Sequence, residues 1–202
     1  MRRLFIAVEI NLGVAQRLAA FQGEIQSAIE EHASGDLQLR AVAPENLHLT
    51  LKFLGDTEPS LVPLVVDELA EFCEPLFPFE VECRGVGAFP NLEDPRVLWV
   101  GLDEQGAEVL RLLQRALEEG LERLGVPRER RDYRPHITLG RLKGRRAVDL
   151  HEVVEPFREL SFGKSFLREV VLFESHLDHR GPRYEVVERL ELGQPSSSGP
   201  SI

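Results

Sequence analysis

The tetrapeptide "HLTL" at His48–Leu51 is answered by "HITL" at His136–Leu139, each inside a longer strand-like run, "NLHLTLKFLG" and "RPHITLGRLKG". Side chains alternate along a strand. In the first run Leu47, Leu49, Leu51 and Phe53 should therefore share one face, and His48, Thr50 and Lys52 the other. In the second, Ile137 and Leu139 face a core while His136 and Thr138 face away. Packing explains the apolar alternation. It does not require the same histidine and threonine twice on the opposite face, so the repeat points both to a duplicated fold and to chemistry.

The flanking sequence repeats the same plan. Leu4–Val8 reads as a short buried strand, and Val14, Leu18, Phe21, Ile25 and Ile29 stripe one face of the helix that follows. A loop containing Gly35, Asp36 and Pro44 leads into the first histidine strand. In the second half "RVLWVGL" is strand-like, and Leu110, Leu113, Leu117, Leu121 and Leu124 stripe a helix over 105–124 that Gly125 and Pro127 end. Helices are expected over 60–72 and 149–160, followed by the strand runs "FEVECRGVGAF" in the first half and "FLREVVLFESHL" and "RYEVVERLEL" in the second. Gly85 and Gly87 lack the third glycine and the helix opening of a dinucleotide loop, and mark a bulge or turn. The predicted fold class is α+β, a two-lobed internal duplication in which each lobe is an antiparallel-rich sheet with helices on its outer face. The boundaries are one domain over 1–190, with pseudo-symmetric halves of about 1–90 and 91–190, and a small, polar, disordered tail over 191–202.

With 202 residues, 43% of them hydrophobic, the chain can bury a sizeable core. Glu9 and Asn11 interrupt the apolar start before a signal peptide or membrane span could form, so a cytoplasmic protein is expected. Cys73 and Cys83 have no metal-binding spacing and read as core filling in a reducing compartment. The net charge of −10 argues against a long duplex partner. Its distribution is uneven: Arg128, Arg130, Arg131, Arg134, Arg141, Lys143, Arg145 and Arg146 crowd around the second motif against only Glu129 and Asp132. A basic collar on an acidic body suits a small or terminal polyanion.

If the halves pack about a pseudo-twofold axis, both polar faces line one groove carrying His48, Thr50, His136 and Thr138. Histidine serves as acid or base near neutral pH, and a pair can divide the roles. Threonine hydroxyls donate to non-bridging phosphate oxygens. Each histidine and its threonine stand roughly 7 Å apart along the strand, leaving room for a phosphate between them. "ESHLDHRG" gathers Glu174, His176, Asp178 and His179, but with Gly181 and Pro182 it reads as a hairpin end rather than a metal site.

The two motifs, with "RLFIAVEI", "PENLHLTLKFLGD", "GAFPNLEDPRVLWVGL" and "YRPHITLGR" around them, resemble the 2H phosphoesterase superfamily, in particular its RNA 2′,3′-cyclic phosphodiesterases, also called 2′-5′ RNA ligases. That resemblance covers about residues 1–190. It implies a groove between two lobes and opening of ribonucleoside 2′,3′-cyclic phosphates to 2′-phosphates without metal or other cofactor. Reversible 2′-5′ RNA ligation is related chemistry. By the same resemblance His48 is the proton donor and His136 the proton acceptor. Thr50 and Thr138 bind phosphate, and Arg134 and Arg141 flank the second motif where they can steer RNA. The expected partners are RNA ends or nucleotides bearing a 2′,3′-cyclic phosphate, acted on by a monomer with no membrane association. Two alternatives stay open: a phosphodiesterase for another cyclic phosphate, such as an ADP-ribose cyclic phosphate, and a non-catalytic nucleotide-binding module.

Overall fold

The structure is a computed structural model that describes residues 1–33, 37–144, 147–178 and 181–193. Among these residues nine strands and four α-helices follow in the order β1 (Arg2–Glu9), α1 (Leu12–His32), β2 (Leu37–Ala41), β3 (His48–Thr57), α2 (Val62–Cys73), β4 (Phe79–Phe89), β5 (Val97–Leu102), α3 (Glu104–Arg123), β6 (Ile137–Gly144), α4 (His151–Val154), β7 (Ser161–Leu167), β8 (Glu169–Asp178) and β9 (Gly181–Glu191). The strands run β7-β4-β5-β6-β3-β1-β8-β9, with β2 added to β6, and every pairing is antiparallel.

The expected α+β fold with two antiparallel halves is present, but the halves of the chain interleave. β4, from the first half, pairs with β5 and β7, while β8, from the second, pairs with β1 and carries β9 on its outer edge. Neither lobe is built from residues 1–90 or 91–190 alone. Periodicity tells which face of a strand is buried, whereas the choice of edge partner is made only when the sheet assembles. The lobes meet where β3 and β6 pair through one residue pair, Leu49 and Ile137, so the strands diverge on either side of it and open a groove.

One face of the sheet carries the helices and the main core. Val14, Leu18, Phe21, Ile25 and Ile29 of α1 are buried, as the periodicity predicts. The helix starts at Asn11, whose Oδ1 accepts from the Val14 amide at 2.8 Å while its Nδ2 donates to the Lys164 carbonyl at 2.8 Å. Such a cap contributes about 1 kcal/mol and here also fixes the helix to β7. α1 lies against β2, β6, β7 and α4, and α3 against α2, β3, β4 and β5. Burying one leucine or isoleucine contributes about 2 kcal/mol, so the many such side chains at 0–2% exposure make this face the main source of stability.

Other expectations need correction. Residues 37–41, read as part of a loop, form β2, and the helix expected over 149–160 shrinks to α4 followed by a 3-10 turn, Glu155–Phe157. Gly85 is a bulge, with φ +75° and a register shift between Arg84 and Val86. Residues 191–193 belong to the fold rather than to a tail: β9 ends at Glu191, Leu192 is buried, and Gly193 donates to the Cys73 carbonyl at 3.1 Å. Residues 194–202, together with Gly35, Asp36, Arg145, Arg146 and His179, lie outside the described residues. No helix among the described residues is long and apolar enough to cross a membrane.

Candidate active site

β1 shows how the groove face is made. Leu4, Ile6 and Val8 point to the main core, while Phe5 and Ala7 point the other way and form a second small core with Val171, Phe173 and Tyr184. His48 stands on this side, its ring 5.1 Å from Phe5, 6.2 Å from Phe173 and 5.4 Å from Tyr184. His136, just before β6, has Phe89 edge-on at 4.9 Å and Trp99 at 6.3 Å. Both histidines are thus half-buried against aromatic walls.

The Leu49–Ile137 pair fixes how the motifs meet. Antiparallel alternation places His48 across from Thr138 and Thr50 across from His136, so the histidines lie on a diagonal. In a regular ladder that diagonal is about 7–8 Å. A charge on His136 is felt at His48, which is consistent with this proximity.

Each histidine is anchored in the same way. His48 Nδ1 lies 2.7 Å from the Asn46 carbonyl, and His136 Nδ1 lies 2.6 Å from the Arg134 carbonyl. A carbonyl only accepts, so Nδ1 carries the proton and the neutral ring presents an unprotonated Nε2. At His48 that Nε2 accepts from the Thr50 hydroxyl at 3.0 Å. The expected space for a phosphate between imidazole and hydroxyl is therefore closed by a direct hydrogen bond, because both side chains lean toward each other. An incoming phosphate must replace that bond.

Burial holds the His48 pKa below its ordinary 6.5, opposed by the Asn46 carbonyl and the Glu9 carboxylate, with His136 adding to the depression. Burial also lowers His136, opposed by the Arg134 carbonyl. Glu9, opposite His48 in the β1–β3 register, is itself held by Arg189.

Both motif strands carry a bulge directly after the threonine. In β3, Ala7 pairs with Thr50 and Ile6 with Lys52, leaving Leu51 as the extra residue; in β6, Trp99 pairs with Thr138 and Leu98 with Gly140, leaving Leu139. An extra residue reverses the faces beyond it. Lys52, expected on the groove face, is buried, and Phe53, expected in the core, is 70% exposed on the groove side with its ring 5.9 Å from Phe5. Arg141 occupies the position in β6 that Phe53 occupies in β3. It lies near enough to Tyr184 that its charge opposes the rise in the phenol pKa that burial causes. Arg134 enters the site through its carbonyl, and its guanidinium has no partner among the described residues.

A buried polar network joins the lobes behind the groove. Lys52 Nζ donates to Glu118 at 2.7 Å and to the Pro127 carbonyl at 2.9 Å, and Gln114 holds the other Glu118 oxygen at 2.9 Å. Tyr133, three residues before His136, donates its hydroxyl to the Thr50 carbonyl at 2.9 Å. The segment leading into the second motif is thereby tied to the strand carrying the first. Sequence reasoning missed Phe5, Phe53, Phe89, Trp99, Tyr133, Phe173 and Tyr184 as groups around the site. The one signal for Phe53 was its place after the motif, which strict alternation misassigned. Of the acidic and histidine cluster near the hairpin end, Glu174 pairs with Arg2 at 2.7 Å and His176 lies 3.4 Å from Glu185.

Residues 19–178 match the sequence profile of the 2′-5′ RNA ligase superfamily. The chain belongs to that superfamily. It is 35% identical over 183 residues to an RNA 2′,3′-cyclic phosphodiesterase of Archaeoglobus fulgidus, covering 91% of this chain and 96% of that one. It is also 35% identical over 191 residues to one of Methanothermobacter thermautotrophicus, covering 94% and 98%. Among solved structures, TT0787 of Thermus thermophilus superposes with a TM-score of 0.73 at 28% identity, covering 95% of this chain and 98% of that one. E. coli LigT complexed with 3′-AMP gives 0.75 at 25% identity, covering 96% and 99%.

Proposed function

We propose that the protein hydrolyses 2′,3′-cyclic phosphate ends of RNA or nucleotides to 2′-phosphates, by metal-independent acid/base catalysis shared between two histidines. The observation that carries this reading is the matched anchoring of His48 and His136 through Nδ1 to the carbonyl two residues earlier, which leaves Nε2 of each for the groove. His136, neutral, takes the proton from the attacking water. His48, protonated, delivers a proton from Nε2 to O3′ as the P–O3′ bond breaks, and the phosphate stays on O2′. Thr50 and Thr138 donate to the non-bridging oxygens, where negative charge builds. Arg141 neutralises the bound phosphodiester, and Arg134 flanks the entrance. With a 5′-hydroxyl in place of water the same groups would support reversible 2′-5′ ligation. The relatives named RNA 2′,3′-cyclic phosphodiesterase support the substrate class. We also infer a cytoplasmic monomer, since one chain supplies every group around the groove and Cys73 and Cys83 are buried, unpaired thiols.

The test is hydrolysis of 2′,3′-cyclic AMP and of a cyclic-phosphate-ended oligoribonucleotide in the presence of chelator, with the product isomer identified. Turnover to the 2′-phosphate is expected. Tight AMP binding without turnover of either substrate would replace the enzyme with a nucleotide-binding module, and turnover of only an ADP-ribose cyclic phosphate would redirect the substrate.

A further inference from the structure

Both histidines have aromatic neighbours, Phe89 and Trp99 at His136 among them, but the surface beyond each histidine differs. Around His48 the wall is aromatic, with Phe5, Phe53, Phe173 and Tyr184, and Glu9 stands nearby. Beyond His136 the sheet continues into the β2–β6 ribbon, where Arg40 sits opposite Arg141 and Gln38 opposite Lys143. Leu37, Leu39 and Leu142 turn into the core, so Gln38, Arg40, Arg141 and Lys143 share the other face, which continues from His136 and Thr138. All four are exposed.

Arg40, Arg141 and Lys143 lack a carboxylate partner among the described residues. That contrasts with Arg123, Arg128 and Arg189, which pair with acids, in a chain whose 34 acidic residues outnumber its 24 basic ones. Directly opposite side chains on such a ribbon stand about 5 Å apart and successive ones on one strand about 7 Å apart. A row of cations at that spacing, without acids among the described residues to neutralise them, matches the repeating phosphates of an extended strand. The aromatic wall suits a base.

Resting on the phosphodiesterase reading above, we infer that the β2–β6 ribbon is a phosphate track for the RNA strand on the 5′ side of the cyclic end, with Arg40 and Lys143 binding phosphates beyond the reacting one. The terminal base takes the aromatic wall and the polynucleotide leaves over the basic wall. The protein thereby favours RNA ends over free cyclic nucleotides.

The experiment compares kcat/KM for a cyclic-phosphate-ended oligoribonucleotide with that for the matching 2′,3′-cyclic mononucleotide, in the wild type and in Arg40→Ala/Lys143→Ala. The wild-type ratio should exceed one, and the double variant should lower it on the order of tenfold at low salt while making log KM for the oligonucleotide less steep in log salt by about 1.4. An Arg40→Lys variant should keep the wild-type ratio. A wild-type ratio near one, or a double variant that retains it, overturns the track. If the wild type turns over neither substrate, the phosphodiesterase reading fails. In that case anisotropy of a labelled oligoribonucleotide on both proteins still decides the track, which equal affinities would overturn.

Discussion

Set side by side, the two motif strands agree for three positions and then part. His48 and His136 share an anchoring carbonyl geometry, Thr50 and Thr138 share the groove face, and both strands bulge immediately afterwards. Beyond the bulge, Lys52 in one strand corresponds to Gly140 in the other, and Phe53 to Arg141. Gly140 has no room for a side chain, since a Cβ there would lie 2.6 Å from the Arg40 carbonyl. On the proposed mechanism, symmetry persists where both lobes must face one phosphorus atom and fails where one lobe would meet a base and the other a phosphate, because that substrate is itself asymmetric.

The sharpest way to break this comparison is to ask whether the two histidines do different work. His48→Ala and His136→Ala should each lower kcat on 2′,3′-cyclic AMP by about 10²–10⁴-fold. On bis(p-nitrophenyl) phosphate, whose aryl leaving group departs without an acid, the His48 variant should recover most of its loss and the His136 variant should not. Equal losses on both substrates would sink the division into acid and base.

A large effect on stability is expected behind the groove. Lys52→Met leaves Glu118 buried without its cation and should cost about 3–5 kcal/mol in urea unfolding, whereas Lys52→Met/Glu118→Leu should return close to wild type. A single variant of wild-type stability would mean that the buried pair does not hold the lobes together.

Phe53→Ala tests the aromatic wall. At 70% exposure Phe53 should contribute little to stability, but losing a stacking surface should weaken binding of nucleotide substrates by about 1–3 kcal/mol, read as KM. An unchanged KM would leave Phe53 as exposed surface only.

The smallest expected effect is in the pH profile. Both histidines titrate below 6.5 in the free protein, so the protonated form of His48 declines above its lowered value while the neutral form of His136 grows above its own. The kcat/KM maximum should therefore lie on the acid side of 6.5. Bound phosphodiester favours the imidazolium, so the alkaline limb of kcat should stand at higher pH than that of kcat/KM. An alkaline limb of kcat/KM well above 6.5 would contradict the lowered pKa of the histidine pair.

Much of the site was legible because two short-range rules govern it. Alternation placed His48 and Thr50 together on the face away from Leu49, and did the same for His136 and Thr138 around Ile137. The helical stripes were equally readable, since a period near 3.6 is a local property. Alternation fails past a bulge, and local pattern fails where a strand depends on a distant partner: strict alternation puts Phe53 and Lys52 on the wrong faces, and residues 37–41 read as loop because their pairing strand, β6, comes a hundred residues later.

Residue type and local period are enough to specify the α+β composition, the duplicated motif and the residues able to do acid/base chemistry on a phosphate. Tertiary structure alone decided that β4 and β8 exchange between the lobes, that Lys52 is buried against Glu118 and that the Tyr133 hydroxyl reaches the Thr50 carbonyl. It also decided that Phe5, Phe53, Phe173 and Tyr184 gather on the His48 side while Arg40, Arg141 and Lys143 line up beyond His136 and its own aromatic neighbours. Each of these joins residues far apart in the chain, and such pairings are fixed only when the whole sheet closes.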